Sequence, residues 1–215
     1  MTHIEVPLSM KGGISIRQYA ARKGEPDYVH LTDQGVPVIS GSSLTGALRH
    51  RTQQMLEELK QSGVELPENI TDIINIAFGY VDGTKACASN IIVDESEIRN
   101  ARPLTMVRTG VSRFESAAKN GALYKEKTFV DGEVTLRLSV RKSQNPADSG
   151  WIMGLLLLAL KDLQNGFLTV GGETAIGRGV FSANGPITID GKISEEEIYI
   201  AEMLSNMSEM GGLRS

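Results

Sequence analysis

Three stretches combine residue types that can grip a negatively charged ligand. Pro37-Val-Ile-Ser-Gly-Ser-Ser-Leu-Thr-Gly-Ala-Leu-Arg49 leads from an extended approach into a helical pattern, with hydroxyls at Ser42, Ser43 and Thr45 and cations at Arg49 and Arg51. The first amides of a helix lack intrahelical acceptors and lie at the positive end of its dipole, so this combination suits an anion. An ordinary capped amphipathic helix would show the same residues. Gly171-Gly-Glu-Thr-Ala-Ile-Gly-Arg-Gly179 is a second candidate. Gly171 and Gly172 let a backbone approach a phosphate closely, and Arg178 could reach its oxygens. A plain hairpin turn is the competing reading. No Gly-Lys-Ser/Thr follows a GxxxxG spacing, so a nucleotide-hydrolysing loop is not indicated. The third stretch, Arg108 to Glu126, interleaves Phe114 and Tyr124 with Arg108, Arg113, Lys119 and Lys125. Cations there could meet phosphates while the aromatics stack on bases, unless those rings simply pack on the core.

The elements that must position these residues can be read from periodicity. Ile4 to Met10 alternates apolar and polar residues and stops at Gly12-Gly13, which predicts a strand ended by a turn. Ile14 to Pro37 reads as a long polar connection with one short strand at Val29 to Leu31. Leu44, Leu48, Met55, Leu56 and Leu59 predict a helix capped by Ser42 or Ser43, and a second helix covers Ile70 to Ala77. Ala86 to Val93 and Lys127 to Arg141 predict strands. Ser149 is expected to cap an apolar helix from Trp151 to Gln164, followed by short strands at Phe167 to Val170 and Val180 to Ala183. Ser194 heads a short acidic helix. Paired strands interleaved with helices imply an α+β fold of ferredoxin-like type.

Composition narrows the function classes. The 215 residues carry 40% hydrophobic and 22% charged residues, which suits one folded domain and excludes a disordered or collagenous chain. A single cysteine, Cys87, and three histidines without a CxxC pair leave no disulfide and no structural zinc cluster. Nothing resembles an apolar membrane span or a signal peptide, so a cytoplasmic protein is expected. The net charge of −4 argues against a generic nucleic-acid binder, but it hides a segregation. Residues 99–142 hold ten Lys/Arg against four acids, a local +6, whereas residues 190–215 hold six acids against two bases, a local −4. A polyanion-binding face with an acidic tail elsewhere fits this pattern, as does a solvated surface with uneven charge.

Taken together and in order, the Pro37–Arg49 segment, Ala77-Phe-Gly79 ahead of Ala86-Cys-Ala-Ser-Asn-Ile-Ile-Val-Asp94, the Arg113–Tyr124 segment and the Gly171–Gly179 loop resemble the RAMP superfamily of CRISPR-associated proteins. More narrowly they resemble the repeated backbone subunit of type III effector complexes. The resemblance covers about residues 4–183. It implies a single domain, 1–215, with a modified ferredoxin-like, RNA-recognition-motif-like palm in a core at about 4–183 and a β-hairpin thumb at about 101–130; the acidic C-terminal helical tail at about 190–215 lies outside the resemblance. It further implies a guide-RNA partner, a complementary target RNA, further copies of the chain and other effector subunits. Ser42, Ser43, Thr45 and Arg49 would grip the guide backbone. Arg108, Arg113 and Lys125 would belong to the thumb, and Gly171, Gly172 and Arg178 would line the guide's path.

The same resemblance implies target-RNA cleavage through an aspartate in the loop after the first strand, where Asp27 stands six residues before Asp33. A carboxylate there could orient or deprotonate a ribose 2′-OH, or hold a divalent cation such as magnesium. A solvated loop acid is the alternative, with Glu25 and Asp33 as competitors. Two readings without this chemistry stay open: a non-catalytic filament subunit, and a guide-processing endoribonuclease needing a His or Lys acid–base pair. His30 is expected to be structural and His50 exposed. Ser40 stands where the family usually has proline.

Overall fold

The structure, a computed structural model, describes residues 1–19, 24–66, 69–111, 114, 118–141 and 146–205. It begins with β1 (Thr2–Met10), β2 (Gly13–Ile14), β3 (Arg17–Tyr19), β4 (Tyr28–His30), β5 (Thr32–Asp33) and β6 (Val36–Ile39). Two helices follow, α1 (Gly41–Gln61) and α2 (Ile70–Phe78), then the hairpin of β7 (Tyr80–Asp82) and β8 (Lys85–Cys87). Next come β9 (Ile91–Val93), β10 (Ser96–Glu97), and the three long strands β11 (Arg102–Val111), β12 (Ala118–Val130) and β13 (Glu133–Val140). The chain continues through α3 (Pro146–Gln164), a 3₁₀ turn at Thr174–Ile176, β14 (Phe181–Ala183), β15 (Thr188–Ile189), β16 (Lys192–Ile193) and α4 (Glu196–Ser205).

The principal sheet is built on the alternation of β1. Ile4, Val6 and Leu8 are fully buried and lie opposite Leu138, Leu136 and Val134 of antiparallel β13, so both strands turn the same phase inward. The other phase faces out, where Glu5 pairs across to Arg137 at 3.3 Å. A one-residue slip would exchange these faces, and burial of one phase is what fixes the register. β9 extends the sheet beyond β13, and β14 and β15 flank β1 on its other edge. α1 and α3 cover the apolar face, with Leu44, Leu48 and Leu56 of α1 and Trp151 to Leu157 of α3 in the core.

α3 is apolar on nearly all sides, which demands cover on two faces. α4 supplies the second cover: Met203 is fully buried, and a Cβ on Gly154 would stand 2.5 Å from the Met203 Cβ. Lys161 and Glu196 tie the two helices at 2.6 Å. Met203 thus packs into the same core as α3, and the acidic stretch is described as far as Ser205. Residues 206–215 lie outside the described residues.

A second, five-stranded sheet stands apart from the first in hydrogen bonding, with the order β11-β12-β4-β3 and β2 added beside β12. Its long hairpin, β11 with β12, occupies most of the expected insertion at 101–130. The fold is thus α+β with several sheets, as expected at that level.

Several local expectations change. The polar connection over 14–37 contains most of five short strands, each too brief for a period-two pattern to register. The strand expected over 127–141 is two strands belonging to different sheets, divided at Asp131-Gly132, both at positive φ. Asp-Gly is itself a turn signal. Ala86 to Val93 is likewise interrupted between β8 and β9, and Phe167 to Val170 forms no strand. Ser40, not Ser42 or Ser43, caps α1, accepting the Ser43 amide at 3.3 Å. α3 already includes Ser149, and the Ser194 hydroxyl finds no hydrogen-bond partner, so neither serine acts as the expected cap. None of the described helices is long and apolar enough to cross a membrane.

Leu136→Ala, at a fully buried site of the central β13, should lower unfolding free energy by about 2–5 kcal/mol, read as a fall in the urea midpoint with an unchanged slope.

Candidate nucleic-acid interface

The start of α1 and the glycine loop face each other across an open cleft of about 570 Å³. Ser42, Ser43, Gly46 and His50 of α1 form one wall; Thr169, Gly171 and Gly172 form the other, and Ser15, Ile16 and Arg17 connect them. Arg17 is the cation of this lining, and no Asp or Glu is among the described lining residues. Ser40 explains how the α1 wall is ordered. Its hydroxyl accepts the Ser43 amide and donates to the Ser43 hydroxyl at 2.8 Å, while the exposed Ser42 hydroxyl donates back to it at 3.3 Å. The amides of Gly41 and Ser42 keep the positive helix end towards this region without an intrahelical acceptor.

The opposite wall is held by backbone contact. The Gly172 amide donates to the Ser15 carbonyl at 2.8 Å, and Gly171 adopts φ +95° with its missing Cβ only 2.7 Å from the same oxygen. Gly171 is therefore required by the close approach of its own chain to Ser15, next to β2, and the loop is closed at its ends by the Val170 amide donating to the Gly179 carbonyl at 3.0 Å.

Behind this wall lies a cluster that sequence reasoning did not anticipate. Glu126 of β12 is fully buried and accepts from the Arg178 Nη1 at 2.7 Å and the Ser15 hydroxyl at 2.9 Å. Arg17 Nε lies 3.3 Å from the same carboxylate oxygen, and Arg108 Nε lies 3.1 Å from the other. Glu173 contacts all three arginines: Arg178 at 2.7 Å, Arg108 at 3.3 Å, and Arg17 through a short contact. Three guanidiniums against two carboxylates leave the cluster one positive charge in excess. Burial by itself would raise the Glu126 pKa, but the hydrogen bonds from Arg178 and Ser15 and the charges of Arg178 and Arg17 outweigh it and hold the carboxyl below its ordinary value. The available signal was position: Glu126 and Thr128 fall on the buried phase of β12, where an apolar residue is the norm.

The candidate residues divide accordingly. Ser42, Ser43, Gly171 and Gly172 meet at the cleft. Arg178 is 4% exposed and engaged in the buried cluster, so it does not line the path as an open cation; Arg108 joins the same cluster at the foot of the hairpin. Arg49 points elsewhere, donating to the Gly79 carbonyl at 2.7 Å and to Asn75 Oδ1 at 2.8 Å, which ties α1 to the end of α2. Thr45 is half-buried on α1 and is not among the described lining residues. Lys125 is exposed on the hairpin, and Phe114 is fully exposed. Arg113 lies outside the described residues.

Asp27 is exposed just before β4, and its Oδ2 accepts the Lys125 amide at 2.7 Å. β4 runs parallel to β12 in this region, so the carboxylate sits at the edge of the hairpin. Tyr28 and Tyr124 meet edge to face at 5.5 Å beside it, and Arg17 lies over the Tyr28 ring at 5.1 Å. Among the described residues, no group of three or more His, Cys, Asp or Glu side chains is placed to hold a metal ion. His30 is buried as expected, accepting the Ile16 amide at Nδ1 and facing the Val38 carbonyl at Nε2, each at 3.0 Å.

The family model of the RAMP superfamily matches residues 7–182, from within β1 to within β14. The chain belongs to the RAMP superfamily. RAMP proteins are CRISPR-associated, binding CRISPR RNA and partner Cas subunits, and the matched span contains the cleft, the hairpin and the buried ion cluster. No curated protein matches the chain.

Burial lowers the His30 pKa from 6.5 to about 4. Above pH 6.5 both folded and unfolded states hold a neutral ring; below it the unfolded chain takes up a proton that the folded one refuses. Stability should therefore fall between pH 6.5 and about 4, by on the order of 3 kcal/mol, and His30→Gln should remove that part of the urea-midpoint profile. Glu126→Gln should cost about 3–5 kcal/mol in the same measurement by leaving buried arginines undercompensated.

Proposed function

We propose that this RAMP protein is a guide-RNA-binding backbone subunit of a type III CRISPR effector complex, and that the cleft between α1 and the glycine loop receives the guide's sugar-phosphate chain. One observation carries the reading: the hydroxyls of Ser42 and Ser43 and the helix-end amide of Ser42 converge with Gly171, Gly172 and Arg17 on a cleft lined by no described carboxylate. Such groups recognise phosphates without reading bases. The hairpin of β11 and β12 is the thumb of this reading, with Lys125 and the exposed Phe114 available to a guide:target duplex. Copies of the chain stacked along one RNA would supply the affinity that a net charge of −4 withholds from a single copy, and the setting is the cytoplasm.

The target strand would be cut at Asp27. The carboxylate accepts the proton of a splayed ribose 2′-OH as O2′ attacks the adjacent phosphorus; the P–O5′ bond breaks, and water returns a proton to O5′. The products are a 2′,3′-cyclic phosphate and a 5′-hydroxyl. The Lys125 amide bond to Asp27 favours a second reading, a non-catalytic filament subunit in which this aspartate fixes the loop to the hairpin. Guide processing loses its candidate acid–base group, because both His30 ring nitrogens are engaged in a buried site.

Ser42→Glu separates RNA binding from folding. A carboxylate in the first turn of α1 favours the helix, yet should weaken single-stranded RNA binding roughly tenfold at low salt, about 1.4 kcal/mol. Unchanged affinity would remove the cleft from the reading. In the assembled complex, Asp27→Ala should slow target cleavage by at least about 10²-fold with guide binding intact. Cleavage at the wild-type rate would leave the non-catalytic reading.

A further inference from the structure

The cleft and the ion cluster share one residue, Arg17, which lines the first and pairs with both carboxylates of the second. The cluster has a floor and a rim. Arg178 and Glu126 form the floor, with side chains 5% and 1% exposed; Arg17, Arg108 and Glu173 form the rim at 34%, 26% and 18%. Three guanidiniums offer fifteen N–H groups to two carboxylates, and among the described residues the buried Arg178 Nη2 finds no hydrogen-bond partner, nor do Glu126 Oε2 and Glu173 Oε2. The rim carboxylate also occupies an uncommon position. Glu173 adopts the left-handed conformation, φ 61° and ψ 32°, which is unfavourable for a residue with a side chain. It directly follows Gly172, whose amide is anchored on Ser15, so its side chain can leave the arginines while the loop stays in place.

We infer that Glu173 holds the place of an RNA phosphate: in the RNA-free protein its carboxylate occupies Arg17 and Arg108, and a phosphodiester entering the cleft displaces it. The Glu173 pairs with Arg17 and Arg108 reach solvent and exchange more readily than a buried pair; on leaving, Glu173 also gives up its contact with Arg178, whereas the buried Glu126–Arg178 pair stays closed. Glu173 is a positioning and competing group: it keeps the arginines extended and lowers affinity for RNA that offers no well-placed phosphate. The inference rests on the reading of the cleft as an RNA-backbone site.

The test compares wild-type protein and Glu173→Gln, which preserves shape and removes the competing charge, in binding a labelled single-stranded RNA over a range of salt concentrations. Glu173→Gln should bind about three- to tenfold more tightly at low salt. Its log affinity should fall more steeply with log salt, by about 0.7 for each phosphate that now displaces counterions instead of a carboxylate. Adding Arg17→Ala should abolish the gain. A folded Glu173→Gln protein with wild-type or weaker affinity and an unchanged salt slope would overturn the inference while leaving RNA binding intact. Absence of RNA binding by wild-type protein and Glu173→Gln alike would overturn the underlying reading as well. The wild-type chain gives an independent readout: on RNA addition the NMR resonances of the Arg17 and Arg108 Nη–H groups, which face Glu173, should shift. Movement of neither would also overturn the inference.

Discussion

The buried carboxylate of Glu126 is the interaction on which the arrangement of the candidate site depends. It projects from β12, receives the Ser15 hydroxyl beside β2, and collects Arg17 of β3, Arg108 of β11 and Arg178 from the end of the glycine loop. Removing such a charge from water is expensive, and only the converging donors make it tolerable. Once formed, the cluster sets the second sheet, the long hairpin and the glycine loop at fixed relative positions. No apolar residue at position 126 could impose that directionality, because dispersion contacts do not specify which groups must meet.

A division of labour follows between the two sheets. The principal sheet is held by apolar burial, with Ile4, Val6 and Leu8 against Leu138, Leu136 and Val134 beneath α1 and α3. The second sheet contributes few fully buried apolar side chains and relies on polar ones, including Ser15, His30, Glu126 and Thr128. Stability resides mainly in the first and geometry in the second. Arg17 stands where the two arrangements meet solvent, serving at once as a member of the ion cluster and as part of the cleft lining.

Legibility in the sequence tracked this division. The α+β class, β1, α2 and most of α1 were readable because apolar periodicity there is long and governed by one buried face. The segment at 14–37 was not, since β2 to β5 run only two or three residues, too short for an alternating pattern, and β2 and β4 pair with the distant β12. Ser40 was passed over as a cap because Ser42 and Ser43 offered equivalent chemistry two and three residues on. At the site, Ser42 and Ser43 share a cleft with Gly171 and Gly172, whereas the contacts of Arg49 and Arg178 did not emerge from residue type alone. A guanidinium serves equally well as an RNA contact or as an internal tie, and the choice depends on acceptors remote in sequence: Asn75 and Gly79 for Arg49, Glu126 and Glu173 for Arg178.

The pairing of β1 also constrains when the protein can fold. Its partners β13, β14 and β15 all come from residues beyond 132, so an amphipathic strand made early has nothing to lie against until most of the chain has left the ribosome. At roughly 5–20 residues per second that wait is about ten to forty seconds, long enough for an uncovered edge bearing Ile4, Val6 and Leu8 to meet other nascent chains. Synthesis in a cell therefore places this strand in the care of whatever shields hydrophobic segments during translation.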